Sequence, residues 1–335
     1  MKPRLSISMG DPGGIGPEII VRALAERERR QAASYVIHGA GAPMLEAAER
    51  FGIDPYWWRV EPDAELREAA SSQDVVLVDH PLEDVRRRPA RAGGAASFRY
   101  VEEAIRDARA GHAHAICTAP ISKEAWQLAG KRFPGHTELL QQRCQAKRCA
   151  VMFESPRLRV ILATTHVPLM DVRNVLTIGR VHDAIDLGAE ACRALGILKP
   201  RLGVCGLNPH AGEQGLMGDE ESRLIEPAIT LATEHGIDVR GPFPGDTIFN
   251  RALGGEFDLV VAMYHDQGLI PVKLLAWDSA VNVTLGLPFP RTSPDHGTAF
   301  DIAGRKPADI GSMGHAIDLA IRMTRPARVD IRPHG

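Results

Sequence analysis

The chain of 335 residues lacks most of the features that mark secreted, membrane-bound or nucleic-acid-binding proteins. Its five cysteines, Cys117, Cys144, Cys149, Cys192 and Cys205, are odd in number and form no CxxC pair. That excludes a disulfide framework and a thiolate zinc site, and fits a reducing cytoplasm. No run approaches the ~18 apolar residues of a membrane span. The apolar stretch that follows Met-Lys-Pro-Arg-Leu-Ser is too short for a signal peptide. Neither sign of charge is in excess: the formal net charge is −2, which leaves no electrostatic footprint for nucleic acid or an anionic membrane. The one basic run, Arg86-Arg87-Arg88-Pro89-Ala90-Arg91, lies beside Gly93 and Gly94 and reads as a solvated loop. Internal repeats, low-complexity tracts and flexible linkers are missing too.

A dinucleotide fingerprint is also lacking. "YVIHGAGAPMLEAAERFG" has the strand, the Gly39-Ala40-Gly41 turn and the helix of a Rossmann unit, but Met44 stands where the third glycine belongs. "SMGDPGGIGPEII", residues 8–20, carries Gly10, Gly13, Gly14 and Gly16, a spacing that does not give GxGxxG. Pro17 suits the first turn of a helix and Glu18 its positive end, so a tight strand-to-helix turn accounts for much of this stretch.

What is present is a regular alternation. Apolar runs predict strands at Arg4–Met9, Ser34–His38, Asp74–Val78, Ala113–Thr118, Leu158–Thr164, Arg201–Gly206, Phe257–Tyr264 and Val281–Leu285. Amphipathic stretches between them predict helices at Pro17–Glu28, Pro43–Phe51, Ser97–Ala110, Ile178–Leu195 and Glu220–His235. This is the pattern of an α/β protein with a largely parallel sheet covered by helices, in two lobes joined by continuous sheet.

Three of the apolar runs end in the same way. "LRVILATTH" ends at His166, "RLGVCGLNPH" at His210 and "FDLVVAMYH" at His265. Ligands of open α/β sheets gather at the carboxyl ends of strands, and three imidazoles delivered there suit one divalent metal with open positions for substrate or water. Taken singly, each histidine is better explained as a loop or capping residue; the recurrence reverses this in favour of a shared site. A second set suits an anion: His136 and Thr137 in "FPGHTE", Lys273, Asn282 in "VNVTLG", and Arg291 in "LPFPRTSPDHGTA". Spacing alone does not show that these converge.

The blocks "SMGDPGGIGPE", "FPGHTE", "TTHVPL", "GLNPHAGEQGLMGDEE", "GPFPGDT", "AMYHDQG" and "VNVTLGLPFPRTSPDHGTAFDIAG" resemble, in order, the 4-hydroxythreonine-4-phosphate dehydrogenase (PdxA) family from residue 8 to residue 304. The resemblance implies a two-lobed α/β/α subunit with a mixed, largely parallel sheet, similar to isopropylmalate dehydrogenase and not of the Rossmann type. One lobe takes residues 1–125 plus 295–335, with both termini and part of the cofactor cleft. The other, 126–294, holds metal and substrate and dimerises. It implies a homodimer with active sites at the interface and each metal's ligands shared between subunits. It implies NAD or NADP, and one divalent metal (Zn, Mg or Co) on His166, His210 and His265. Substrate-binding positions fall on His136, Thr137, Lys273, Asn282 and Arg291, and cofactor-binding positions on Gly14, Gly286, His296 and Gly297. Two departures are small: Pro290 replaces an aliphatic residue before Arg291, and Ala280 replaces a glycine before Val281.

The activity so implied is oxidation of the C3 alcohol of 4-phosphooxy-L-threonine, then decarboxylation to 3-amino-2-oxopropyl phosphate, in pyridoxal 5'-phosphate biosynthesis. Asp246 in "GDT" and Asp266 in "HDQG" are the candidates for general base, and either alternatively orients a ligand histidine. A sister activity on D-threonate or D-erythronate 4-phosphate, or on a related hydroxy acid, shares the alcohol beside an acid. A metal-dependent lyase or hydrolase without nicotinamide, and a non-catalytic metal-binding protein, are the readings from other classes.

Overall fold

The computed structural model describes residues 2–62, 73–82 and 84–324. Its first strands are β1 (Arg4–Ser8), β2 (Ser34–Gly39), β3 (Trp58–Val60), β4 (Val75–Asp79), β5 (Ala115–Thr118) and β6 (Ala150–Glu154). They are followed by β7 (Arg159–Leu162), β8 (Arg201–Cys205), β9 (Asp238–Phe243), β10 (Leu259–Ala262), β11 (Val281–Leu285) and β12 (Arg291–Pro294). The chain divides into two compact units, one of residues up to 147 and from 287 to 324, the other of residues 148–286. The sequence boundaries stood at 125/126 and 294/295.

In the first unit the strand order is β3-β4-β2-β1-β5-β12, and the pairs are parallel. The runs that make it, such as "VVLVD" in β4, are apolar along their length because both faces of these strands are buried. The helix Arg91–Arg109 buries Ser97, Phe98, Val101, Ala104, Ile105 and Ala108, spaced by three and four residues as an apolar stripe requires. It meets a core that includes Ile116, Trp126, Leu139, Leu140 and Phe289.

The second unit runs β11-β6-β7-β10-β8-β9, with β6 antiparallel to both β11 and β7 and the remaining pairs parallel. Val160, Leu162, Val260, Ala262, Leu269 and Val272 form part of its core. The three strands that lead to histidines, β7, β10 and β8, are consecutive neighbours and parallel, so their carboxyl ends share one edge.

All eight predicted strands exist: β11 has the expected bounds, β4 is shifted by one residue, β2 is one residue longer, and the other five are one to four residues shorter. Four more are β3, β6, β9 and β12: β12 is the polar "RTSP" and β9 contains Gly241 and Pro242, whereas β6, "AVMFE", is an apolar buried run absent from the expected strands. The helix expected over 17–28 breaks into Gly16–Leu24 and Arg27–Ala32. The one expected over 220–235 starts as a single wide turn, Glu221–Ile225, before Glu226–Glu234; Pro227 supplies no N–H to the ladder there. Helices His136–Cys144 and His265–Leu275 were unforeseen, the first for its polar sequence, the second for its internal Pro271.

Candidate active site

Two loops and a helix start hold the three histidines at the shared edge of the second unit. The end of β7 is tied to the end of β10: Ala163 N–H donates to Ala262 O (2.9 Å) and Thr164 Oγ1 to Met263 O (2.7 Å). Gln267 ties β10 to β8, with its Oε1 accepting from Met263 N–H (2.7 Å) and its Nε2 donating to Gly206 O (2.8 Å). With the backbones fixed this way, the His166 and His265 rings lie 5.7 Å apart, tilted by 39°. His265 opens its helix, and its Nδ1 is 2.7 Å from Asp266 Oδ1. His210 follows β8, its Nδ1 2.9 Å from Glu213 Oε2. A carboxylate on Nδ1 fixes the tautomer and leaves Nε2 as the ligating nitrogen, the usual support of a metal-binding imidazole.

The donor set therefore has the chemistry of a divalent metal site. Its convergence is incomplete: among the described residues of a single chain, no three His, Cys, Asp or Glu side chains come together closely enough to hold a metal. His166 and His265 are neighbours; His210 does not complete a cluster with them. His210 instead lines a cavity of about 780 Å³ with Asp246, Asp266, Tyr264, Gln267 and Asn208. Both candidate bases thus face the same space, and Asp266 also serves as the Nδ1 partner of His265. Lys273, two turns further along that helix, sits 5.2 Å from the ring of Trp277, and Asn282 lies in β11 opposite Phe153.

His210 is reached by an unusual backbone. His210, Ala211, Gly212, Glu213 and Gln214 all have φ between 44° and 80°, a left-handed turn in which four of five residues are not glycine. Each L-residue there costs roughly 1–2 kcal/mol, and such strain persists only where the surroundings over-determine it.

The other candidate anion ligands belong to the first unit. Arg291 begins β12 and is 2% exposed; its Nη2 donates to Thr118 Oγ1 at 2.6 Å. At the Pro290 departure the carbonyl accepts from Ile116 N–H (2.9 Å) and extends the β5–β12 pairing that carries Arg291. His136 and Thr137 form the first turn of the helix His136–Cys144, where unpaired N–H groups favour an anion. Burial of His136, together with Arg291 and Lys123 nearby, pushes its imidazole well below its ordinary value, and its Nε2 is buried with no hydrogen-bond partner among the described residues. A neutral His136 beside two cations is a hydrogen-bonding group, with charge supplied by the others. Lys123 was missed in the sequence because nothing in "PISKEAW" distinguishes it from a surface lysine.

The glycine-rich loop proves to be a packed turn. A side chain at Gly14 would meet Thr298 O at 2.8 Å, and the next residue, Ile15, donates its N–H to that same carbonyl (2.9 Å). Glu18 is buried and binds the Ala308 N–H (2.7 Å), Arg22 (3.0 Å) and Arg50 (3.3 Å). This loop and the 298–308 segment are thereby one construction. His296 and Gly297 lie in that segment's approach, with open space around Gly297, while Gly286 closes β11 in the second unit. The basic run is a solvated loop as far as Ala90, its Arg86 paired with Asp84 and Arg87 with Glu46; Arg91 opens a helix.

The chain is 45% identical to a 4-hydroxythreonine-4-phosphate dehydrogenase of Beijerinckia indica subsp. indica, over 96% of this chain and 95% of that one. It is 44% identical to a D-threonate 4-phosphate dehydrogenase of Salmonella typhimurium, over 95% and 98%. The crystal structure of a 4-hydroxythreonine-4-phosphate dehydrogenase from Klebsiella pneumoniae superposes with a TM-score of 0.84 at 40% identity, covering 97% of this chain and 98% of that one. A fainter likeness to isocitrate dehydrogenase from Methylococcus capsulatus, TM-score 0.50 at 16% identity over 96% of this chain and 84% of that one, is of fold alone. Fold and relatives together define an α/β oxidoreductase acting on a CH–OH group, and the lyase, hydrolase and non-catalytic readings fall away. The family described as "Pyridoxal phosphate biosynthetic protein PdxA" matches residues 32–320, and the chain belongs to it.

Proposed function

We propose that the protein oxidises 4-phosphooxy-L-threonine with NAD or NADP and releases carbon dioxide to give 3-amino-2-oxopropyl phosphate, a step of pyridoxal 5'-phosphate biosynthesis. The observation that carries this reading is the delivery of His166, His210 and His265 to one edge of the sheet by three neighbouring parallel strands. When bound, a divalent metal (Zn, Mg or Co) supplies Lewis-acid polarisation and the nicotinamide accepts hydride. The three imidazoles would hold the metal, and Asp266 and Glu213 keep two of them in the ligating tautomer. Asp246 and Asp266 face the same cavity and are the candidates to receive the alcohol proton. Arg291, Thr137 and neutral His136 in the first unit, and Lys273 and Asn282 in the second, are assigned to the substrate's phosphate and carboxylate. Gly14, Gly286, His296 and Gly297 are assigned to the cofactor.

The ligand set is read as completed by a second copy of the chain. The second unit exposes Ile270, Leu274 and Trp277 on and just beyond the helix that begins at His265, together with Leu169, Met170, Leu216 and Met217. Large apolar side chains exposed along one helix, as Ile270 and Leu274 are, suit an interaction surface. On this reading the unit with both sets of exposed loops is the metal and dimerisation lobe, and the other unit takes the cofactor. The described helices include none long and apolar enough to cross a membrane, and all five cysteines are unpaired, which suits a cytoplasmic enzyme.

A second reading, oxidation of D-threonate 4-phosphate, is favoured by the near-equal identity to relatives of that name. Comparison of kcat/KM on the two phosphorylated substrates, with NAD and with NADP, tests the proposal. Preference for 4-phosphooxy-L-threonine by an order of magnitude or more is the expected result; the reverse preference replaces it with the second reading, and turnover of neither overturns both.

A further inference from the structure

The left-handed turn that carries His210 is held by a side chain with no place so far in the site. Glu221 is 4% exposed and lies at the start of the following helix. Its Oε1 accepts the N–H groups of Leu207 (2.8 Å) and Asn208 (2.7 Å), and its Oε2 accepts from Asn208 Nδ2 (2.9 Å). Backbone closes on the same carboxylate from two more directions. A side chain at Gly206 would meet Oε1 at 3.0 Å, and one at Gly212, in the middle of the turn with φ +80°, would meet Oε2 at 2.6 Å. The neighbouring Glu220 shares the load: its Oε2 accepts from Asn208 Nδ2 at 2.8 Å, and its Oε1 lies 3.0 Å from Arg173 Nε.

These contacts bracket His210. The entry to the turn, residues 207–208, is hydrogen-bonded to this buried carboxylate and its centre at Gly212 packs directly against it, and His210 lies between them. A run of left-handed residues needs such an external constraint. The carboxylate is also hard to replace. Alanine leaves the Leu207 and Asn208 N–H groups without their acceptor, and Asn208 Nδ2 with Glu220 alone. Glutamine keeps a carbonyl for the two amides but presents its own NH₂ where Asn208 Nδ2 now donates.

We propose that Glu221 is a positioning residue for the metal site: its carboxylate latches the 210–214 turn and thereby sets where the His210 imidazole is held. The inference rests on the reading of His210 as a metal ligand. Glu221 itself touches neither metal nor substrate.

The test is a Co²⁺ titration of the metal-free, full-length protein, followed by calorimetry and by visible absorption, for the wild type, His210→Ala, Glu221→Ala and Glu221→Gln. Amide hydrogen exchange at Leu207 and Asn208 is measured on the same metal-free proteins. Loss of a supporting partner of a metal-binding histidine typically weakens metal binding ~10–100-fold. Glu221→Ala is expected to fall in that range with an altered cobalt spectrum, Glu221→Gln between it and the wild type, and exchange at Leu207 and Asn208 to quicken in Glu221→Ala but not in His210→Ala. Wild-type affinity and spectrum in Glu221→Ala, beside weakened binding in His210→Ala, overturns the latch and leaves the metal reading intact. Wild-type affinity in His210→Ala overturns the metal reading beneath it. Should Glu221→Ala fail to fold, Gly212→Ala presses on the same oxygen from the loop side, and unchanged cobalt binding there and in Glu221→Gln overturns the latch equally.

Discussion

Asp11, in the glycine-rich loop, offers a quantitative test of how that loop is built. It is 1% exposed, one carboxylate oxygen accepts Gly13 N–H at 3.0 Å, and the other has no hydrogen-bond partner among the described residues. Burial pushes its carboxyl up from the ordinary 3.8 to about 6, opposed only by the Gly13 N–H. A folded-state value above the unfolded one means the folded protein keeps the proton longer. The associated stability is complete below the unfolded value and is lost as pH rises through the folded one. The rise of about two pKa units, at about 1.4 kcal/mol each, amounts to roughly 3 kcal/mol in all. About half of that loss falls between roughly pH 5 and 8, where the fold can be measured.

The perturbation is Asp11→Asn. Asparagine keeps the acceptor for Gly13 and cannot titrate, but it buries an NH₂ group in place of the unpartnered oxygen. That amide sets a constant offset between the two proteins; only the proton makes the offset change with pH. Urea unfolding of both proteins across that range should show the asparagine variant gaining on the wild type by roughly 1.4 kcal/mol as pH rises. Stability curves that stay parallel, or a gain in the opposite direction, would refute a buried, proton-holding Asp11 and with it the closed, packed form of the loop.

Two further outcomes follow from the site. Leu274 is 82% exposed and Trp277 77% exposed, so on the proposed homodimer Leu274→Asp should leave the monomer's thermal stability nearly unchanged while shifting sedimentation from dimer to monomer; burying a leucine gives ~1.5–3 kcal/mol, and placing a carboxylate there removes it and adds a desolvation cost. A variant that sediments as the wild type removes this helix from the interface. His136, held well below its ordinary value of 6.5 by burial and by Arg291 and Lys123, should stay neutral as pH falls through 6.5 while the unfolded chain takes up a proton, so its contribution to stability is lost on acidification. Nitrogen-15 NMR of the anion-free protein reads this directly, and a His136 ring that protonates near 6.5 contradicts it.

The histidine-bearing strands were legible because β7, β8 and β10 are buried parallel strands, written as unbroken apolar runs that stop where the chain reaches the ligand edge. Their spatial order, 7-10-8, was not, since strand pairing is set by contacts across the fold and differs from chain order. The same division runs through the site. Arg291 was visible as a charge, but the polar strand that buries it was not. The turn at 210–214 left a trace only in Gly212, because its shape is imposed by a carboxylate eleven residues beyond His210. Sequence recurrence thus nominates donors and leaves open which chain would supply them to one metal. Here the fold adds a constraint. His265 begins the helix whose far end exposes Leu274, so any partner that docks on that end also fixes the helix that carries this proposed ligand. If the metal set is shared between copies, Leu274→Asp must weaken Co²⁺ binding although Leu274 lies more than two turns from His265 and supplies no ligand. A monomeric variant that binds cobalt as tightly as the dimer would mean that one chain assembles the site alone, against the separation of His210 from the His166–His265 pair.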